Sequence, residues 1–145
     1  MNRILLLLSL SLLISISSCV SDNKGPDGDP NAEEQFDKIL KGAISFRTGT
    51  DVPPSSVMIV RLLDITNEQH MVVRELKKEI KKENLPYPYE IGYNDDDIQE
   101  GKKYGLDAKI TFTDITIYHS TKPIEVLSNS LKNNVTLMLK EGSPK

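Results

Sequence analysis

The chain has 145 residues, a formal net charge of −3, 38% hydrophobic and 27% charged residues. That is enough for one domain with a real core but not for two. Lys and Glu are mixed throughout with no basic patch interleaved by aromatics, which argues against nucleic acid as a partner, and one cysteine with two histidines leaves little to hold a transition metal.

The chain begins "MNRILLLLSLSLLISISSCVS". Arg3 precedes an apolar run from Ile4 to about Ile16 that is interrupted only by serines. Such a run is shorter than the ~20 residues a membrane-crossing helix takes, and it suits the apolar region of a secretory signal. Ser17 and Ser18 then lead into Cys19, the sole sulfhydryl residue. The "ISSC" stretch resembles a bacterial lipobox with Ile16 at the −3 position. In such signals the cysteine receives a diacylglyceryl thioether, cleavage follows Ser18, and the freed amine is acylated. Two or more acyl chains anchor stably where one binds marginally. The alternatives are an ordinary secretory signal or a short membrane anchor with a chance cysteine; position, flanks and run length together favour lipidation at Cys19. Residues 1–18 are therefore expected to be removed, leaving 127 of the 145 residues and, with Arg3 gone, a net charge of −4. Val20, where an aspartate favours inner-membrane retention in enteric-type sorting, points to the outer membrane, facing the periplasm.

Residues 19–38 read as a lipidated flexible tether. "VSDNKGPDGDPNAEEQ" is rich in Gly, Pro, Asp and Asn and nearly free of large apolar groups, so burial cannot offset its ordering entropy. Sixteen such residues span ~20–25 Å as a coil, enough to clear lipid headgroups. Asp22, Asp27 and Asp29 lack the spacing of a calcium loop and read as solvated linker.

Residues 39–145 read as strands. "LKGAISF" alternates Leu40, Gly42, Ile44 and Phe46 against Lys41, Ala43, Ser45 and Arg47. "VMIVRLLDI" after the Pro53-Pro54 turn is apolar on both faces except at Arg61, the pattern of a central strand. Asn67 to Asn84 argues for helix when taken alone, with Val73, Leu76 and Ile80 at helical spacing among good helix formers. In "LPYPYEIGYN", Leu85, Tyr87, Tyr89, Ile91 and Tyr93 share one face. Pro86 and Pro88 have the same parity, so their missing N–H groups lie along one edge, which places the start of this strand at a sheet margin. Asn94 to Asp97 turns the chain. "KKYGLDAKITF", "DITIY" and "NVTLMLK" supply further alternating segments. The sum predicts an all-β domain, a small antiparallel β-sandwich or partly open barrel of about seven or eight strands, behind the signal peptide and tether.

The order of these segments resembles the YbaY-like lipoproteins, a family that includes the YscW-type pilotins of type III secretion systems. Adjacent prolines precede a "V-x-L-x-D"-like strand, an aromatic-proline strand is matched by Pro86 to Tyr93, and a "Y-x-L-x-A-x-I" strand is matched by Tyr104 to Ile110. The likeness covers about residues 39 to 140. It departs at Ser55 and Ser56, where the family has glycine or alanine, and at the lysine-rich "ELKKEIKKE". The resemblance implies a strand near Met71 to Glu75, with room for a helical turn after it.

No catalytic constellation stands out. His70 and His119 are the two imidazoles, no nucleophile elbow accompanies them, and no glycine-rich phosphate loop exists. Asp95, Asp96 and Asp97 read as turn residues bonding to backbone. "KKEIKK" interleaves with glutamates and reads as solvated. Neither enzyme activity, nor a cofactor, metal or small-molecule substrate is expected. Tyr87, Tyr89 and Tyr93 join large apolar bodies to polar tips; they suit a sandwich core, and they are also the candidate binding residues, with the margin at Pro86 and Pro88 as the part open to a partner. The expected function is a membrane-anchored, non-catalytic module that binds another envelope protein. The resemblance implies one concrete version, a pilotin or chaperone that holds an apolar segment of a secretin. The alternative is an envelope-maintenance or hydrolase-inhibitor lipoprotein that binds cell wall or secreted enzymes.

Overall fold

Alternating sequence becomes strand wherever one face has a core to bury, and eight strands form among the described residues. In chain order they are β1 (Lys38–Phe46), β2 (Val57–Asp64), β3 (Met71–Glu79), β4 (Tyr87–Tyr93), β5 (Tyr104–Phe112), β6 (Ile115–His119), β7 (Ile124–Val126) and β8 (Asn134–Glu141), with one 3₁₀ turn at Asp95–Asp97 between β4 and β5. The structure, a computed structural model, describes residues 35–47, 52–81, 85–128 and 134–142. Cys19, the signal segment, the tether up to residue 34 and its acidic cluster lie outside the described residues.

The domain is all-β, as its alternation predicts. One sheet runs in the order β3-β2-β5-β6-β8-β1-β4, with β7 paired to β5 beside β6. It folds over on itself, so that β4-β1-β8 face β3-β2-β5 across a shared core. The two halves join where Tyr118 and His119 of β6 meet Glu141 and Lys140 of β8. Among the described residues every pairing is antiparallel except one: β1 and β8 run parallel, Lys41 opposite Asn134 through Phe46 opposite Leu139. A purely antiparallel sheet was the expectation from sequence. A parallel pair requires a long connection, and nearly the whole domain lies between these two strands.

Leu40, Ile44 and Phe46 of β1, Met58, Val60 and Leu62 of β2, Leu106 and Ile110 of β5 and Leu137 of β8 are buried together. On β2 the opposite face is buried too, at Ile59 and Leu63, which explains why its sequence is apolar throughout. Arg61, the exception, sits directly across from Asp107 of β5 and donates to it, Nε to Oδ1 at 2.9 Å.

The tyrosine stripe of β4 points into this core. Tyr89 is 2% exposed, and its hydroxyl donates to the Val135 carbonyl across β1 at 2.9 Å. Gly42 makes that reach possible: a Cβ there would stand 2.1 Å from the Val135 oxygen and 2.4 Å from the Tyr89 hydroxyl. Burial pushes the Tyr89 phenol up to about 12.

The segment whose spacing suggests helix is strand through Glu79. A bulge explains the misleading spacing. Leu62 pairs with Arg74 while Leu63 pairs with Val72, so Val73 is an extra residue in β3. That insertion changes the parity of the strand between Val73 and Leu76. Val73, Leu76 and Ile80 are indeed the half-buried apolar positions, but they pack from a bulged strand. No helical turn follows Glu75 among the described residues.

Candidate functional site

The sheet path ends at β3 and β4, and these two ends come face to face. Following the pairings around the sheet makes β3 and β4 antiparallel to each other, yet no ladder joins them. Between them lies a hollow of about 340 Å³ lined by Val72 to Leu76 on one side, Glu90 to Gly92 on the other, and Phe36. Further along the same seam a smaller pocket is lined by Met58, Lys78 and Ile80 against Tyr87 and Pro88.

Main-chain alternation tells which groups face the seam. Pro88 lies within β4 and has no N–H, so its nitrogen turns away from β1, toward the free edge. By the same parity the N–H and C=O of Glu90 and Gly92 also turn outward. On β3, Ile80 N–H donates to the Ser56 carbonyl at 2.8 Å. Lys78, Leu76 and Arg74 therefore face β2, while Glu79, Lys77 and Glu75 turn their main chains to the seam. Pro86 and Pro88 blunt one end of this edge; the Glu90–Gly92 end is left able to pair.

One end of the seam is fastened by side chains. Arg74 Nε and Nη2 donate to Asp97 Oδ2 and Oδ1 at 2.8 and 3.2 Å, a bidentate pair. Asn94 N–H donates to the same carboxylate at 2.8 Å, and this bond first, then Arg74, holds Asp97 below the usual carboxylate range. The Arg74 guanidinium lies 5.3 Å from the centroid of the Phe36 ring, a cation–π distance. Beneath that ring is Gly92, where a Cβ would come within 2.1 Å of Phe36 Cδ2. Lys38 pairs with Asp95 nearby. Val72 is 52% exposed and Met71 68%, so β3 carries uncovered apolar surface beside the hollow.

The residues singled out from sequence fall as follows. Tyr87, Tyr89 and Tyr93 are all buried and face the core; Tyr87 also lines the small pocket beside Pro88. His70 is exposed, and His119 Nδ1 lies 2.7 Å from the Gly142 carbonyl. Asp95 to Asp97 form the 3₁₀ turn. In the lysine-rich stretch Lys77 pairs with Glu75 at 3.0 Å, and Lys77 to Glu79 are exposed. Sequence reasoning missed Phe36, Arg74 and Gly92. The signal available for Phe36 was a lone aromatic ending a segment otherwise nearly free of apolar groups.

A second, wider cleft of about 680 Å³ opens where β6 diverges from β8, lined by Arg47, Tyr118, Thr121 and Met138 to Glu141. It is larger than the seam hollow but is not flanked by two facing strand edges.

A family model described as the type III secretion system lipoprotein chaperone, YscW, matches residues 36–139. Among solved structures, the chain is similar to "an alternative pilotin from the type II secretion system of Vibrio cholerae", at 17% identity and a TM-score of 0.66, over 70% of this chain and 94% of that one. At that identity the likeness concerns the fold. No curated protein sequence matches the chain.

Proposed function

Because this chain belongs to the family of type III secretion system lipoprotein chaperones, we propose that it is a lipid-anchored, non-catalytic chaperone that holds a secretin subunit in the cell envelope. The observation that carries the reading is the open seam: a β-domain whose two sheet ends face one another, unladdered, around a hollow bordered by exposed apolar side chains. Unsatisfied edges of this kind recognise polypeptide, since main-chain pairing supplies affinity and flanking pockets supply selectivity. The similarity of the fold to a type II secretion system pilotin supports the chaperone reading.

Cys19 is the lipidation site in this reading and residues 1–18 the cleaved signal; the tether expected over residues 19–38 lets the domain stand off the lipid surface up to Phe36, where the chain already packs on the domain and leads into β1 at Lys38. Val20 directs the anchored protein to the outer membrane, facing the periplasm. The domain binds the secretin, and the acyl chains deliver the pair. The test is fractionation of a strain that expresses the secretin with wild-type protein or with Cys19→Ser. With the wild type, secretin multimers accumulate in the outer membrane and co-purify with the lipoprotein. With Cys19→Ser, lipid labelling vanishes and secretin is stranded in the inner membrane. Normal secretin assembly in a strain lacking the protein altogether would overturn the reading.

A further inference from the structure

The seam already holds a ligand of a kind, and that ligand is part of the chain. Phe36 precedes β1 by two residues and belongs to no strand. Its ring rests over Gly92, where no other residue type leaves room, and carries the guanidinium of Arg74. Arg74 is in turn oriented by its two bonds to Asp97. A glycine floor, an oriented cation and a hollow running onward from the ring make a receptacle shaped for an aromatic side chain. Cation–π attraction favours a ring over an aliphatic group of similar size.

The groups around the ring are suited to a main chain. Glu90 and Gly92 of β4 turn an N–H and a C=O each into the seam, one pair on either side of Ile91. Pro86 and Pro88 withhold the N–H groups further along the edge, which fixes where pairing can begin. An extended segment laid against Glu90 and Gly92 therefore passes the Phe36 position with a side chain in reach of it. Phe36 is half-buried and belongs to no ladder; the next residue, Asp37, is tied to Asn94 and Asp95, so the Phe36 ring can leave the slot without disturbing β1.

We propose that the seam captures an extended segment of the partner protein bearing an aromatic residue, whose ring takes the place of Phe36 between Gly92 and Arg74 while its backbone pairs with the β4 edge at Glu90 and Gly92. Phe36 is then an internal competitor that keeps the slot filled until the partner arrives. This rests on the reading of the protein as a polypeptide-binding chaperone and specifies the chemistry of what it grips.

The experiment uses the full-length protein in detergent micelles and a fluorescein-labelled, acetylated Ser-Ile-Phe-Ile-Ser amide, with a Ser-Ile-Leu-Ile-Ser control, read by fluorescence anisotropy. Phe36→Ala removes the competitor and should tighten binding of the phenylalanine peptide about tenfold, the factor expected if the empty slot is populated about one-tenth of the time in the parent. The leucine peptide should bind more weakly to the same variant. Phe36→Ala/Gly92→Leu refills the slot from the floor and should abolish binding. Should that double variant not fold, the phenylalanine-to-leucine comparison on Phe36→Ala alone decides. Unchanged or weaker binding by Phe36→Ala, or equal binding of the two peptides, overturns the proposal. Co-expressed secretin separates this from the broader reading. Secretin captured by the wild type and equally by the double variant sinks the seam and leaves the chaperone standing; no secretin captured by the wild type sinks the chaperone, and the peptide result then judges the seam on its own.

Discussion

Strand β1, inside the sheet, and the seam between the sheet's two ends are built on opposite terms. Along β1, every residue from Lys41 to Ile44 has a partner on both sides, β4 on one and β8 on the other, and the inward side chains Leu40, Ile44 and Phe46 are buried, with Ile44 at 0% exposure. At the seam, on the far edge of β4, β3 and β4 approach without pairing, and the contacts there are made by an arginine, a phenylalanine and a few half-buried apolar groups. The first has hydrogen bonds, packing and a glycine-sized gap that all require the same geometry. The second is held by a few side chains that can be exchanged one for another. Stability is concentrated where the sheet is continuous, and freedom to bind is left where it is interrupted.

Substitutions should register that contrast in descending order. Ile44→Ala, in the doubly paired strand, should lower unfolding free energy by about 3–4 kcal/mol, the cost of a deleted core side chain plus the void it leaves, measured by urea denaturation. Gly42→Ala should follow at about 2–3 kcal/mol, because its methyl collides with the Val135 carbonyl and the Tyr89 hydroxyl; a change under about 0.5 kcal/mol would mean β1, β4 and β8 are less tightly fitted than described. Val72→Ser, on the exposed seam strand, should shift stability by no more than about 0.5 kcal/mol. A large loss there would show that the seam is structural.

pH should act at the acid and alkaline ends of its range with opposite signs. Asp64 is held down to about 2, first by the Thr66 hydroxyl and then by Lys102, and Asp97 is held below its ordinary value by Asn94 and Arg74. Because these carboxyls have lower values folded than unfolded, their contribution is present above about pH 4 and is lost as pH falls toward 2. Tyr89 is the reverse. Burial raises it to about 12, so its contribution holds below about pH 10 and is lost as pH rises toward 12. Urea midpoints should be flat between those limits and fall on either side. Asp64→Asn should flatten the acid limb and leave the alkaline one unchanged.

Much of the continuous half of the domain was legible from residue order. Period-two alternation located β1, β4 and β5 because each has one face committed to the core. The two same-parity prolines announced an edge strand, and β4 pairs on one side only. The interrupted half was harder to read for physical reasons. β3 buries little, so its alternation is faint, and its bulge shifts parity at Val73, which turns a strand into an apparent helical stripe. The fastening of the seam depends on residues far apart in sequence: Phe36, Arg74, Gly92 and Asp97 come from four different segments. Nothing local in the chain says that the third aspartate of "NDDD", rather than the first, meets an arginine 23 positions earlier.

The single parallel pairing carries a consequence for synthesis. Of the eight strands among the described residues β1 is made first and β8 last, and the two pair with each other. The opening strand therefore keeps one edge unpaired until the β8 segment has been made. Loss of that segment, even by a short truncation upstream of Asn134, would leave β1 with β4 alone, and the nascent polypeptide would present a raw edge to proteases instead of a finished domain.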